Sequence, residues 1–127
     1  MENKFTLSIL PEKLGICHFA KNSPIPDWAR DISFCSITKT LDELSIVCPQ
    51  EKIPAGVLYE SDWRAFKVQG PLGFTATGIV ASLSKPLAEA GISIFYISTY
   101  ETDYILVEEK NLEKAKEVLG KFCEIGK

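Results

Sequence analysis

Between Phe66 and Phe122 the apolar residues switch repeatedly between the spacing of a strand and the spacing of a helix, and the order of those switches limits the folds open to the chain. "FKVQG" (66–70) alternates as a strand does, with successive side chains on opposite faces. Ala76, Ile79, Val80, Leu83, Leu87 and Ala90 then recur at offsets of three and four, the stripe of an amphipathic helix. Gly91 follows where a left-handed residue ends a helix. Pro86 removes one intrahelical bond and crowds the carbonyl of Ser82, so a kink is expected there but no break, because the stripe keeps its phase. "ISIFYIST" (92–99) and "DYILVEE" (103–109) are near-continuous apolar runs, which predicts a strand pair buried on both faces. Asn111 stands where it can cap a last helix, whose stripe would be Leu112, Ala115, Val118, Leu119 and Phe122. Glu113 lies in its first turn, where negative charge suits the helix dipole.

The first half repeats this plan less sharply. Alternation predicts strands near 5–10, 15–20, 32–38 and 44–48. "NSPIPDWAR" has room for a short helix or turn, started by Pro24 and Pro26, and "LDE" (41–43) for a hairpin connection. "PQEKIPAGVLYESDWRAF" leaves room for one helical turn before Pro54 and another after it. The chain thus reads as β-β-α-β-β-α followed by β-α-β-β-α. This is the α+β class, two ferredoxin-like βαββαβ units with antiparallel sheets covered by helices on one face. The expected boundaries are 1–64 and 65–127. After Phe122 only "CEIGK" remains, too short for a confident closing strand, so residues 5–10 are expected to cross over and complete the second sheet.

Composition narrows the function. A hydrophobic share of 46% in 127 residues supports a packed core. Residues 1–64 carry seven basic and nine acidic side chains and residues 65–127 seven and eight, so neither half has the basic surface that nucleic acid requires. No apolar run approaches the roughly 20 residues of a membrane span. "MENKFTLSIL" lacks the pattern of a signal peptide, which gives a cytoplasmic expectation. Cys17, Cys35, Cys48 and Cys123 are widely spaced, and with His18 the one histidine no metal-ligand pattern forms; the thiols are expected to pack as small apolar groups. Trp28 and Trp63 are expected in packing or interface positions. The sequence has no GxSxG, HExxH, GxxxxGK or strand-following GxGxxG, so no catalytic residue, metal or cofactor is assigned and the chain is read as a non-enzyme.

"GFTATGIVASLSKPLAEAGISIFYISTYETDYILVEEKNLEKAKEVL" resembles the ACT domain. It is most similar to the branch that holds small two-unit bacterial ACT proteins and the eukaryotic cytosolic arginine sensor. "PLAEAGISI", "YISTYETDYILV" and "LEKAKEVL" carry the resemblance across about residues 66–120; "LPEKLGICHF" and "LSIVCP" extend it to the first half less distinctively. The resemblance implies tandem ACT units, side-by-side sheet pairing, a homodimer, and regulatory binding of an amino acid at an interface between units or subunits.

On that implication, a free amino acid's carboxylate would meet backbone N–H groups at the helix entrance after Gly70, Pro71, Leu72 and Gly73. Gly73 allows close backbone approach, Gly78 leaves room on the first turns, and Thr75 and Thr77 supply hydroxyls. The ammonium or a basic side chain would meet Asp103, with Glu101 second. An aspartate in the matching hairpin of the arginine sensor faces the ligand, so the resemblance puts Asp103 first. Tyr100 or Phe74 would cover an aliphatic stem, with Thr102 beside them in the turn. Many metabolic ACT units carry an Asp-x-Pro-Gly-like turn before the first helix, and "VQGPLGF" has no aspartate there. Two plainer readings stand beside this one. The glycine loop and Asp103 can be ordinary turn elements, and the chain can be a homo-oligomerisation module without a ligand.

Overall fold

The structure, a computed structural model, describes residues 5–69 and 78–126. In chain order the strands are β1 Phe5–Ile9, β2 Leu14–Ala20, β3 Ser36–Lys39, β4 Glu43–Pro49, β5 Leu58–Val68, β6 Ile94–Ser98, β7 Asp103–Glu108 and β8 Cys123–Ile125; the helices are α1 Ile79–Glu89 and α2 Leu112–Leu119. Two compact units divide the chain, Met1–Pro11 with Arg64–Lys127, and Glu12–Trp63.

The first of these units has the strand order β6-β7-β5-β1-β8. β1 lies antiparallel to β5, with Leu7 opposite Val68, and parallel to β8, with Phe5 opposite Cys123. Both helices cover one face. Leu83 and Leu87 of α1 and Ala115 and Leu119 of α2 pack with Leu7, Phe66, Val68, Ile105 and Val107 of the sheet. Each large side chain so buried contributes about 1.5–3 kcal/mol. Strand periodicity then assigns the other face: Lys67 on β5, and Tyr104 and Leu106 on β7, point away from the helices.

Helix α1 ends by the mechanism its sequence predicts. Gly91 has φ +77°, its N–H donates to Ala88 O at 3.0 Å, and the Ile92 N–H reaches back to Leu87 O at 3.0 Å. These two bonds satisfy carbonyls that the helix end would otherwise orphan, and Leu87 and Ile92 are both buried beneath them. Pro86 sits inside α1 without ending it. The expected start at Ala76 lies outside the described residues; α1 begins at Ile79 with Gly78 as its N-cap at φ +77°.

Several local expectations are corrected. β6 is not buried on both faces: only Ile97 is buried, because β6 pairs with β7 alone and forms an edge of this sheet among the described residues. Asn111 is the N-cap of α2, but its side chain makes no capping bond; the 3-10 turn Glu109–Asn111 leads into the helix. Phe122 is 53% exposed, since α2 stops at Leu119 and the helical phase no longer applies three residues on. Cys123 is buried in its place and opens β8, the strand that "CEIGK" was judged too short to form.

The other unit has the order β3-β4-β2-β5, with every pair antiparallel. Cys17, Leu44, Ile46 and Cys48 form its core with Ala29, and Trp28, Ile53 and Tyr59 pack against it. No α-helix occurs among its described residues. Asp27–Ala29 and Gln50–Lys52 are single 3-10 turns in place of the expected helical segments. The second stops because Pro54 holds the residue before it, Ile53, in extended backbone at φ −81° and ψ 121°. β3 starts at Ser36, later than expected, because Ile32 and Cys35 turn into the core instead of continuing a ladder. β5 replaces the helical turn expected after Pro54. Its register against β2 slips between Leu14–Trp63 and Ile16–Glu60, and Asp62 has φ +64°, so a bulge interrupts the alternation that would have revealed the strand.

Candidate functional site

The polar turn that joins β6 to β7 is tied in two directions. Within the turn, the Thr99 N–H donates to Thr102 O at 2.8 Å, the Thr99 hydroxyl donates to the same carbonyl at 3.0 Å, and the Thr102 N–H donates to Thr99 Oγ1 at 3.3 Å. Across the sheet, the buried Thr102 hydroxyl donates to the carbonyl of Val68, the last residue of β5. The hairpin end is thereby fixed to the point where β5 runs out toward Gly70. Gly70, Leu72, Gly73, Phe74, Thr75 and Thr77 lie outside the described residues. Gly78 is described, and a side-chain atom added to it would meet nothing within 4 Å.

The four turn residues singled out by sequence do not converge on one point. Asp103 lies on the helix-covered face, in phase with Ile105 and Val107, and is only 8% exposed. Its Oδ2 accepts a 2.7 Å hydrogen bond from the hydroxyl of Tyr96, two residues before its cross-strand partner Ser98. Burial first, and then the bond to Asp103, push the Tyr96 phenol above its ordinary value, so it stays a donor. No basic side chain pairs with Asp103 among the described residues. Tyr96 had no place in the sequence reading. The available signal was its register: on a hairpin, positions 96 and 103 share a face and are diagonal neighbours.

Tyr100, Glu101 and Thr102 belong instead to the opposite face. With Lys67 and Gln69 of the β5 end, Thr99 and Tyr104, they line an open cleft of about 440 Å³. Tyr100 is 79% exposed at its rim.

Chemistry elsewhere is sparse. Among the described residues no three His, Cys, Asp or Glu side chains converge to hold a metal ion, and no helix is long and apolar enough to cross a membrane. Cys17 and Cys48 share a hydrogen bond that lowers the Cys17 thiol and, with burial, holds Cys48 protonated; burial also raises Cys35. Protonated, packed thiols are poor nucleophiles. His18 sits exposed on β2, 3.8 Å from Glu43.

Comparison with known proteins adds relatives to this geometry. The family model of the ACT domain matches residues 58–121, and a family model of an N-terminal domain matches residues 12–56. The human cytosolic arginine sensor for mTORC1, subunit 1, is 39% identical over 108 residues, which cover 79% of this chain and 32% of the sensor. The chain therefore spans about a third of the length of that sensor. A crystal structure of a protein from Agrobacterium tumefaciens superposes with a TM-score of 0.92 at 40% identity, covering 98% of this chain and 94% of that one. The regulatory subunit of aspartate kinase from Thermus flavus shares the fold, with a TM-score of 0.66 at 9% identity over 91% of this chain and 95% of that subunit.

Proposed function

The chain belongs to the ACT-domain family, and on that footing we propose that it is a non-enzymatic regulatory protein that binds a free amino acid through the ligand's cationic end. One observation carries the reading. Asp103 holds a buried carboxylate whose neutral donor, Tyr96, cannot cancel its charge, and no basic side chain approaches it among the described residues. A buried charge without a counter-ion is costly, and a ligand ammonium or guanidinium removes that cost. In this reading the ligand's carboxylate turns toward the entrance of α1, where Gly70, Leu72, Gly73, Phe74, Thr75, Thr77 and Gly78 would receive it. The similar human protein is named for arginine; arginine is accordingly the first ligand to test, and an α-ammonium alone would also satisfy Asp103. Residues 12–63 would act as a second ACT-like half, and a homodimer in the cytoplasm would bring further units to the site. The edge strand β6, with one side unpaired among the described residues, favours such pairing.

The test is the unfolding midpoint of the full chain with each common amino acid added in turn. A ligand at about 100 times its Kd adds about 2.7 kcal/mol of stability, and Asp103→Asn, which keeps shape and removes charge, is expected to abolish the gain. If no amino acid moves the midpoint, ligand binding is refuted and the alternative of a homo-oligomerisation module takes its place. A gain that survives Asp103→Asn puts the ligand elsewhere.

A further inference from the structure

The cleft on the far side of the sheet from Asp103 has a charge problem of the opposite sign. Lys67 is half-buried in the middle of β5's exit and has no acidic partner among the described residues. Glu101 lines the same cleft, yet the two do not pair with each other. Two hydroxyls of the lining are committed, Thr102 to Val68 O and Thr99 to Thr102 O, so this part of the turn presents a fixed wall. Tyr104 and Tyr100 contribute aromatic surface to the same lining. At about 440 Å³ the cleft falls in the size range of small-molecule sites.

We infer that this cleft is a second binding site, for a small organic monocarboxylate with an apolar body: the Lys67 ammonium and the Gln69 amide take the carboxylate while the two tyrosines flank the body. Glu101 sets the charge limit. It disfavours dianions such as phosphate and tolerates a ligand that carries a donor at its far end. The inference is independent of the amino-acid reading of Asp103, because alternation along β7 puts Asp103 and Tyr104 on opposite faces.

The experiment is a titration of the full chain with 3-phenylpropanoate, followed by amide-resolved NMR, with inorganic phosphate and sodium chloride in parallel. Saturating shifts are expected at the amides of Gln69 and Thr99 to Tyr104 with the carboxylate, and none with phosphate or chloride. Lys67→Met is expected to weaken binding about tenfold or more, the scale of one charge-assisted hydrogen bond. Lys67→Arg is expected to keep binding, which separates loss of charge from loss of fold. The inference is overturned if those amides show no saturating shift up to the solubility limit, if Lys67→Met binds as wild type does, or if phosphate binds as well as the carboxylate.

Discussion

Tyr96→Phe deletes one hydroxyl and keeps the ring, which isolates the bond that holds Asp103. The donor distance is 2.7 Å and the carboxylate is 8% exposed. A hydrogen bond to a charged group contributes about 1.5–3 kcal/mol, so the variant is expected to lose roughly 2 kcal/mol at neutral pH, about 5–10 °C in midpoint for a chain of this size. Alkaline pH supplies a second, independent signature. Burial and the Asp103 bond raise the folded-state value of the Tyr96 phenol. A raised value means that the folded protein favours the neutral form. That stabilisation is complete below the ordinary tyrosine value near ~10 and is lost as pH climbs toward the folded value, with a slope approaching about 1.4 kcal/mol per pH unit. The variant has no such phenol, so the gap between the two proteins should narrow as pH rises above about 10. Urea unfolding followed by circular dichroism, from neutral pH to the alkaline limb, reads both effects. Equal midpoints at neutral pH would refute the bond's contribution. A gap that stays constant through the alkaline limb would refute the linkage.

Three further changes test the frame around the site. Gly15→Ala would put a methyl group 2.5 Å from Ile53 Cδ1 and 2.9 Å from Tyr59 Cδ2; the expected cost is about 1–3 kcal/mol, and Ile53→Ala in the same chain should recover part of it in urea unfolding. Gln50→Ala removes the side chain that accepts from the Asp62 N–H and donates to Asp62 Oδ1 at 3.0 Å. The expected loss is about 1–2 kcal/mol, with faster amide exchange confined to the bulge around Asp62; exchange unchanged there would mean that the bulge holds itself. Gly91→Ala meets no atom within 4 Å, so its whole cost comes from φ +77° and should be about 1–2 kcal/mol in thermal unfolding, whereas Gly91→Asn should cost less.

What the sequence made legible was whatever is decided locally. The α1 stripe reads out as buried Leu83 and Leu87 because both lie within one run of uninterrupted helical phase. Gly91 ends the helix because its conformation needs no distant partner. The misses share a different cause. β8 exists because β1, more than a hundred residues earlier, offers it a parallel edge, and nothing within "CEIGK" records that. β5 was hidden by the bulge at Asp62, which Gln50 stabilises from across twelve residues. Val80 belongs to the stripe by spacing but is 48% exposed, because it flanks the buried line through Leu83 and Leu87. At the site, the residue types were legible and their grouping was not. "YETD" looks like one polar knot, but a strand begins at Asp103, and from there each step changes face.

That change of face has a thermodynamic consequence. Asp103 on one side and Lys67 on the other are charges of opposite sign, each without an oppositely charged partner among the described residues, at the same end of one sheet. A single zwitterion cannot serve both, because the paired backbones of β5 and β7 stand between them. They can still be linked, since Thr102 hangs from β5 by its bond to Val68 O and is followed directly by Asp103. A ligand that draws Asp103 toward the α1 entrance pulls on that bond, and the bond forms part of the wall of the cleft around Lys67. If both sites are occupied, reciprocity requires each ligand to change the other's affinity by the same factor. If filling one site leaves the other ligand's affinity unchanged, the hairpin end does not connect the two faces at equilibrium.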